Sequence, residues 1–200
     1  MLATANPDKA REIRAVLADA GVQCELVPRP PDVPEVEETA ATLEANARLK
    51  AEALRDATGL PALADDTGLE VDALGGAPGV FSARFAGADA SYADNVELLL
   101  HEMKSALRAS RTARFRTVVV LSDPDGTEQV ARGAIEGVIA DAPRGDQGFG
   151  YDPIFVPAGG GGRTFAELTA AEKDKISHRG RALRALAARL REAGAAKNEE

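Results

Sequence analysis

Apolar residues recur at the spacing of one helix face in two stretches near the start of the chain. The first stretch opens with Asn6 as a candidate N-cap and Pro7 at the first helical position, and Gly21 ends it. The second stretch covers about residues 42–57. The two apolar faces consist of Ile13, Val16, Leu17 and Ala20 in the first helix, and of Leu43, Ala47, Ala51 and Leu54 in the second.

Two capping boxes mark further helices. Ser91 with Asp94 begins a third helix, and Thr169 with Glu172 begins a final helical region. The apolar positions are Val96, Leu99, Leu100, Met103 and Leu107 in the third helix, and Leu183, Leu186, Ala187 and Leu190 in the last one.

Short apolar runs predict the strands. Residues 22–26 alternate as a half-buried strand does, residues 1–4 form the stub of another, and residues 62–64 form a short buried strand that ends at an acidic pair. Residues 114–121 and 128–139 predict a hairpin joined by an Asp-Gly turn.

The order of these elements predicts one α/β domain over residues 1–192, built on a mixed sheet. We find neither an internal repeat nor a linker. The segments 28–34 and 145–152 are predicted loops, and the glycine run 159–162 lacks the Gly-Lys-Ser/Thr ending of a phosphate-binding loop. Residues 193–200 are small and charged, which predicts a frayed tail.

Composition narrows the class of protein. The chain has 200 residues and a net charge of −8, the wrong sign for binding nucleic acid through a basic face. Its one cysteine, Cys24, cannot form an intramolecular disulfide, which fits a reducing cytosol. No basic and apolar leader opens the chain, and no apolar run approaches the roughly 20 residues that span a bilayer. We therefore expect a cytoplasmic protein that binds neither nucleic acid nor membrane.

Two polar segments are candidates for chemistry. Thr4, Asn6 and Lys9 lie at a strand-to-helix junction, where backbone N–H groups and the helix dipole favour an anion. Asp65 and Asp66 follow an apolar strand, and adjacent carboxylates repel each other unless a cation or a donor compensates. Because successive strand residues face opposite ways, we expect Asp66 to bind magnesium and activate water, and Asp65 to support it. Taken alone, a capped helix and a solvated turn explain these residues better.

Three further segments could contact a ligand. Glu37 and Glu38 are candidates to complete a magnesium site, and of the two we favour Glu37 and assign Glu38 to the surface. Phe149 stands between two glycines, which exposes a ring on which a base could stack. The segment 177–179, Ser-His-Arg, offers two side-chain donors at a helix start.

The order of the motifs is more specific than any one of them. The chain carries, in sequence, Thr4-x-Asn6-x-x-Lys9, Leu43-x-x-Asn46-Ala47-x-x-Lys50-Ala51, Ala64-Asp65-Asp66-Thr67-Gly68-Leu69, Leu74-Gly75-Gly76-Ala77-Pro78-Gly79, Ser82-Ala83-Arg84, Gly148-Phe149-Gly150-Tyr151-Asp152-Pro153, Glu172-Lys173 and Ser177-His178-Arg179. In this arrangement, which covers nearly the whole chain, the sequence closely resembles the inosine/xanthosine triphosphate pyrophosphatase family.

The resemblance implies a homodimer of α/β subunits, each with an elongated mixed sheet, flanking helices and an active cleft between two lobes. It also implies Mg²⁺-dependent hydrolysis of the noncanonical nucleotides ITP, dITP and XTP to the monophosphate and pyrophosphate. Asp66 would be the general base and a metal ligand, with Glu37, or alternatively Glu35, as a second ligand. The substrate-binding residues that the resemblance implies are Thr4, Ala5, Asn6, Pro7, Asp8, Lys9, Lys50, Thr67, Phe149, Gly150, Tyr151, Asp152, Lys173, His178 and Arg179.

This assignment is physically coherent. In an acidic chain, Lys9, Lys50 and Lys173 together with Mg²⁺ would offset the charge of a triphosphate. His178 and Arg179, or nearby backbone N–H groups, would donate to the 6-oxo group of inosine or xanthine. In adenine a 6-amino group, itself a donor, would face these donors and no hydrogen bond would form. Guanine shares the 6-oxo group, so its exclusion must act elsewhere.

Two features depart from the family pattern. Family members have several residues of a first strand before the threonine, whereas only residues 1–3 precede Thr4 here, so we expect a short strand. Ala5 stands where glycine is frequent, which is tolerated unless the position requires a positive φ.

Two alternative functions stay open at this stage. One is a pyrophosphatase acting on other modified nucleotides, similar to the Maf-like family, although its usual signatures are absent. The other is a nucleotide-binding sensor that does not turn over, against which the presence of both Lys9 and Asp66 speaks.

Overall fold

The computed structural model describes residues 1–104 and 111–197, and of residues 193–197 the backbone alone. Within these ranges no helix combines the length and the apolar character needed to cross a membrane. The helices are α1 (Pro7–Asp19), α2 (Leu43–Thr58), α3 (Tyr92–Glu102), α4 (Ala170–Ile176) and α5 (His178–Lys197). The strands are β1 (Ala62–Val71), β2 (Pro78–Gly79), β3 (Thr112–Ser122), β4 (Glu128–Ile139) and β5 (Phe155–Pro157).

The five strands form a sheet in the order β2-β1-β3-β4-β5. β1 pairs with β2, and β4 with β5, in the antiparallel direction. Leu2 adds isolated parallel bridges to Leu63 and Pro28, so both strand directions occur. The predicted α/β class with a mixed sheet is confirmed, while the strand expected over residues 1–4 is reduced to the bridges at Leu2.

Side-chain caps begin the helices where the sequence predicts them. Asn6 caps α1, and its Oδ1 accepts from the N–H groups of Asp8 and Lys9. Thr42 caps α2, and α3 and α4 open with the predicted capping boxes. Gly59 follows α2 with a φ of 66°, a left-handed conformation that glycine adopts without strain. Local sequence signals therefore set these helix ends.

Two strand predictions were wrong. β1 does not end at residue 64 but continues through Asp65 and Asp66 to Val71, because both carboxylates find buried partners. Residues 22–26 form no strand, and Cys24 is exposed. The apolar residues of that segment pack on the core from an irregular backbone instead.

Two predictions lie at the limits of the described chain. α3 ends at Glu102, and Leu107, which was assigned to its apolar face, lies outside the described residues. α5 continues through the backbone of residues 193–197, where a frayed tail was expected; this segment is rich in alanine, which has the highest helix propensity. Residues 198–200 lie outside the description.

The described residues fold into two compact units, each with its own apolar core. The first unit contains residues 1–66, 117–133 and the chain from residue 179 onward, and the second contains the described residues of 67–116 and 134–178. Members of the cores are Ile13, Val16, Leu63, Val119 and Leu183 in the first unit, and Leu69, Leu99, Phe115, Phe155 and Phe165 in the second.

Candidate active site

Asp65 and Asp66 lie in β1 within the first unit, and only 3% and 4% of their surfaces are exposed. A buried carboxylate is costly unless it is paired, so the partners explain how the strand accommodates both residues. The two side chains have different partners, as expected for neighbours on opposite faces of a strand. The acidic cluster consists of this pair together with Lys9, Glu12, Glu38, Asn46, Lys50 and Arg179.

Asp65 is held by two cations. The Nε and Nη2 atoms of Arg179 donate to Asp65 Oδ2 at 3.2 and 3.1 Å, and Lys9 Nζ lies 3.5 Å from the same oxygen. The third nitrogen of Arg179, Nη1, donates to Glu12. Burial opposes ionisation of Asp65, but Lys9 and Arg179 outweigh it and hold the pKa of Asp65 well below its ordinary value. Asp65 is therefore ionised at neutral pH and anchors both cations.

Asp66 contacts α2 through both of its carboxylate oxygens. Lys50 Nζ donates to Oδ1 at 3.1 Å, and Asn46 Nδ2 donates to Oδ2 at 3.4 Å. Lys50 also donates to Glu38 Oε1 at 2.7 Å, so one ammonium joins two carboxylates. Burial raises the pKa of Asp66 above its ordinary value and the charge of Glu38 adds to this effect, while Lys50 opposes it. A raised pKa makes a carboxylate a better proton acceptor, as a general base requires.

The carboxylate brought to Asp66 is that of Glu38, not that of Glu37. Glu38 is half-buried against Lys50, whereas Glu37 is exposed and makes no ion pair within the described part of the chain. The role of Glu37 as a metal ligand therefore stays a prediction, and the contacts favour Glu38 in its place. Both residues lie in an irregular segment, where no periodic pattern shows which side chain points inward.

The donor set of the acidic cluster fits Mg²⁺. This ion is usually bound by one or two carboxylates, with phosphate oxygens and waters as the other ligands. Asp66 and Glu38 supply two carboxylates that already converge on one cation, the Lys50 ammonium. Among the described residues no group of three or more His, Cys, Asp and Glu side chains is arranged to hold a metal. Asp66 and Glu38 could therefore hold an ion whose other ligands are phosphate oxygens and waters.

At the start of α1, side chains take up N–H groups that were expected to face an anion. Asn6 accepts from two first-turn N–H groups, and Thr4 Oγ1 accepts from the Asn6 N–H at 3.1 Å. Pro7 occupies the first helical position, and Asp8 pairs with Arg11. Ala5 does not have a positive φ, so alanine is tolerated there. The groups that could attract an anion at this junction are therefore the Lys9 ammonium and the positive end of the helix dipole.

In the second unit, Phe149, Asp152 and Lys173 form a tight group. Asp152 Oδ2 accepts from the Phe149 N–H at 2.8 Å and from Lys173 Nζ at 2.5 Å. The Lys173 ammonium lies 4.8 Å from the centre of the Phe149 ring. Gly148 is required here, because its φ is +74° and a Cβ would lie 2.1 Å from Asp152 Oδ2. The loop therefore fixes an aromatic ring beside a buried ammonium.

Phe149 and its neighbours in the loop have different surroundings: Phe149 lines a cavity, whereas Tyr151 is buried. Tyr92, in the first turn of α3, packs on Phe149 with ring centroids 5.9 Å apart, and both rings line a cavity of about 690 Å³. Tyr151 is buried, and its hydroxyl donates to the carbonyl of Ser82 at 2.9 Å. Gly150 has a φ of +61°, which completes the turn. Phe149 is thus placed to contact a ligand, while Tyr151 stabilises the loop.

The two donors predicted for a base carbonyl are both buried. The ring of His178 stacks on Phe115 with centroids 4.5 Å apart, and the guanidinium of Arg179 is taken up by Asp65 and Glu12. The structure places Arg179 in the acidic cluster, and its contact with a base stays a prediction. Thr67 follows Asp66 in β1 and is half-buried.

Glu12 and Tyr92 were not among the predicted site residues. Glu12 is almost fully buried in α1, next to the apolar Ile13 and three residues after Lys9. A carboxylate on the buried face of a helix was a signal that could have found it. Tyr92 could have been found as an aromatic residue at the exposed first position of α3.

Comparison with known proteins shows the family of the chain. The model of the Ham1 family matches residues 1–189. Two proteins named dITP/XTP pyrophosphatase, from Streptomyces coelicolor and Streptomyces avermitilis, are 52% and 50% identical over 194 residues, which is 96% of each chain. The structure of a HAM1 protein from Coxiella burnetii is 42% identical, has a TM-score of 0.86, and is matched over 96% of this chain and 97% of that one. The chain therefore belongs to the Ham1 family.

Proposed function

We propose that this chain hydrolyses the noncanonical purine nucleoside triphosphates ITP, dITP and XTP to the nucleoside monophosphate and pyrophosphate. The observation that carries the proposal is the identity of 50% and 52%, over 96% of the chain, with two proteins named dITP/XTP pyrophosphatase. The acidic cluster supports it, because Lys9, Lys50, the carboxylates of Asp66 and Glu38 and the buried amide of Asn46 belong to it, and a triphosphate and its metal could bind there.

Lys9 and Lys50 are proposed to bind the phosphates. Each ammonium already contacts a carboxylate of the acidic cluster, and phosphate oxygens can replace or share those contacts. Burial lowers the pKa of Lys50, but Asp66 and Glu38 outweigh it and raise this pKa, so Lys50 remains a cation. The positive end of α1 adds a favourable potential beside Lys9.

Asp66 is proposed to be the general base. The oxygen of a water molecule bonds to the α-phosphorus, the bond from that phosphorus to the oxygen bridging the β-phosphate breaks, and pyrophosphate leaves with the electron pair. The water proton passes to the Asp66 carboxylate. Lys50 and Asn46 each hold one oxygen of Asp66, which fixes the direction in which it accepts the proton.

Mg²⁺ is the proposed cofactor, with Asp66 and Glu38 as its protein ligands. When bound, it would offset the charge of the phosphate chain and of the developing pyrophosphate. The contribution of the chain is to bring the two carboxylates to one place. Glu38 replaces Glu37 in this proposal, because only Glu38 shares the Lys50 ammonium with Asp66.

Phe149 and Lys173 are proposed to recognise the purine. The half-buried Phe149 ring offers a surface for stacking, and the Lys173 ammonium beside it is a donor suited to the 6-oxo group of hypoxanthine or xanthine. Adenine would present an amino group to that donor, which costs affinity. His178 supports the same unit by its stacking on Phe115.

An oligomeric state and a cellular location are proposed together with the activity. The resemblance to the inosine/xanthosine triphosphate pyrophosphatase family implies a homodimer, and a single cysteine fits the proposed location in a reducing cytosol. Light scattering coupled to size-exclusion chromatography tests the dimer, with an expected mass of about twice the 20.8 kDa of one chain. A mass of one chain at micromolar concentration would contradict it.

The proposed reaction is tested by product analysis. The protein is incubated with Mg²⁺ and, in separate reactions, ITP, XTP, dTTP, ATP or GTP, and the products are separated by anion-exchange chromatography. We expect IMP and pyrophosphate from ITP, and loss of turnover when EDTA removes the metal. Orthophosphate with IDP would contradict the proposed bond cleavage, preferential dTTP hydrolysis would favour a Maf-like activity, and tight binding without product would favour a sensor.

Glu38 and Glu37 form a matched pair for testing the metal site. We expect Glu38→Gln to raise the Mg²⁺ concentration that gives half-maximal turnover by about tenfold or more, because it removes a charged ligand. Glu37→Gln makes the same chemical change at an exposed neighbour and should leave this concentration unchanged. Titration of Mg²⁺ at saturating ITP measures both variants. A larger effect at Glu37 would restore it as the metal ligand.

A further inference from the structure

Two side chains of α2 each join Asp66 to the irregular segment that precedes the helix. Lys50 Nζ contacts Asp66 and Glu38. Asn46 Oδ1 accepts from the backbone N–H of Ala40 at 2.9 Å, and its Nδ2 donates to Asp66 at 3.4 Å. Because Asn46 and Lys50 are four residues apart, they lie on one face of α2 and form two parallel links.

The Asn46 link is neutral and completely buried. Asparagine is a poor helix former, and a buried amide is costly unless its groups are hydrogen-bonded. At 0% exposure Asn46 therefore depends on both of its partners. The Lys50 link is charged, so phosphate oxygens compete with the two carboxylates for the Lys50 ammonium. The Asn46 side chain has no charge that would attract a triphosphate.

We propose that Asn46 is a positioning residue for the metal site, holding the backbone beside Glu38 at a fixed distance from Asp66. The two carboxylates then stay together when phosphate draws the Lys50 ammonium away. This role rests on the proposed function, in which Asp66 and Glu38 hold Mg²⁺. Asn46 acts through them and does not touch the reacting atoms.

The test is Asn46→Ala. We expect the Mg²⁺ concentration for half-maximal turnover to rise about tenfold, the size typical of losing a residue that orients a metal ligand. Calorimetric titration of Mg²⁺ into the protein with a nonhydrolysable ITP analogue should show a similar loss of affinity without any turnover. Hydrogen exchange of the Ala40 amide, which is slow if Asn46 holds it, should become fast in the variant.

Asn95 on α3 provides a matched control. It is also a buried helical amide that accepts from a preceding N–H, that of Ala86 at 2.8 Å, and donates to the carbonyl of Ala83 at 3.2 Å. It contacts no carboxylate among the described residues. Asn95→Ala should therefore lower stability to a similar extent and leave the Mg²⁺ dependence unchanged.

The outcomes separate the two proposals. If the wild-type enzyme requires Mg²⁺ and Asn46→Ala shows the same Mg²⁺ dependence, the positioning role is overturned. If the wild-type enzyme needs no Mg²⁺, the metal assignment of the proposed function is overturned instead. Should Asn46→Ala fail to fold, Asn46→Leu fills the site with a similar volume and is measured in its place. Fast exchange of the Ala40 amide in the folded wild type would also overturn the role.

Discussion

Replacing Asp66 with asparagine is expected to lower the turnover of ITP by about a hundred- to ten-thousand-fold, the usual contribution of a general base. Asparagine has the same shape but cannot accept the proton at neutral pH. Nucleotide binding should remain measurable, because Lys9 and Lys50 are retained. Steady-state kinetics with ITP and calorimetric binding of a nonhydrolysable analogue measure the two effects separately.

Asp56→Asn is the control for that experiment. Asp56 lies near the end of α2 and is 67% exposed at its side chain, so the same substitution should leave turnover unchanged. The melting temperature of each variant shows whether the fold is intact. Wild-type turnover in Asp66→Asn would remove Asp66 from the role of base, whatever the state of the metal site.

Replacing Arg179 with methionine is expected to lower the free energy of unfolding by about 3–5 kcal/mol, as found when one partner of a buried ion pair is removed. Arg179 is 2% exposed, and three of its nitrogens donate to Asp65 and Glu12. The substitution removes a cation from two buried carboxylates, of which Asp65 keeps its contact with Lys9. Urea denaturation near neutral pH measures the loss.

Arg114→Met is the matched control for the buried arginine. Arg114 also joins carboxylates, those of Glu70, Asp72 and Glu136, but their side chains are 28%, 43% and 65% exposed. Water screens these pairs, so we expect a loss below about 1 kcal/mol. Equal losses in the two variants would contradict a special role for the buried network.

The loss in Arg179→Met should also depend on pH. In the wild-type protein the pKa of Asp65 is lowered, so its ion pairs stabilise the fold above the ordinary carboxyl pKa of about 4 and lose this effect at lower pH. Without the guanidinium, the buried carboxylates bind protons more readily. The difference in unfolding free energy between wild type and variant should therefore shrink as the pH falls from neutral towards about 4. A constant difference would contradict this account.

Much of the fold followed from local patterns. The caps at Asn6 and Thr42 and the capping boxes of α3 and α4 depend on side chains within three residues of the backbone they contact, so they can be identified from sequence. β1 was misjudged for the opposite reason. An acidic pair normally ends a strand, and only distant cations allow β1 to continue through Asp65 and Asp66.

By itself, the sequence determined the α/β class, most helix starts and the family, and it predicts Asp66 as the general base, because caps, periodicity and motif order depend on neighbouring residues. Only the tertiary structure decided that Glu38 and not Glu37 approaches Asp66, and that Arg179 binds carboxylates. Arg179 is 114 positions from Asp65 and 167 from Glu12 along the chain. Contacts over such separations depend on how helices and strands pack, and local patterns carry no information about them.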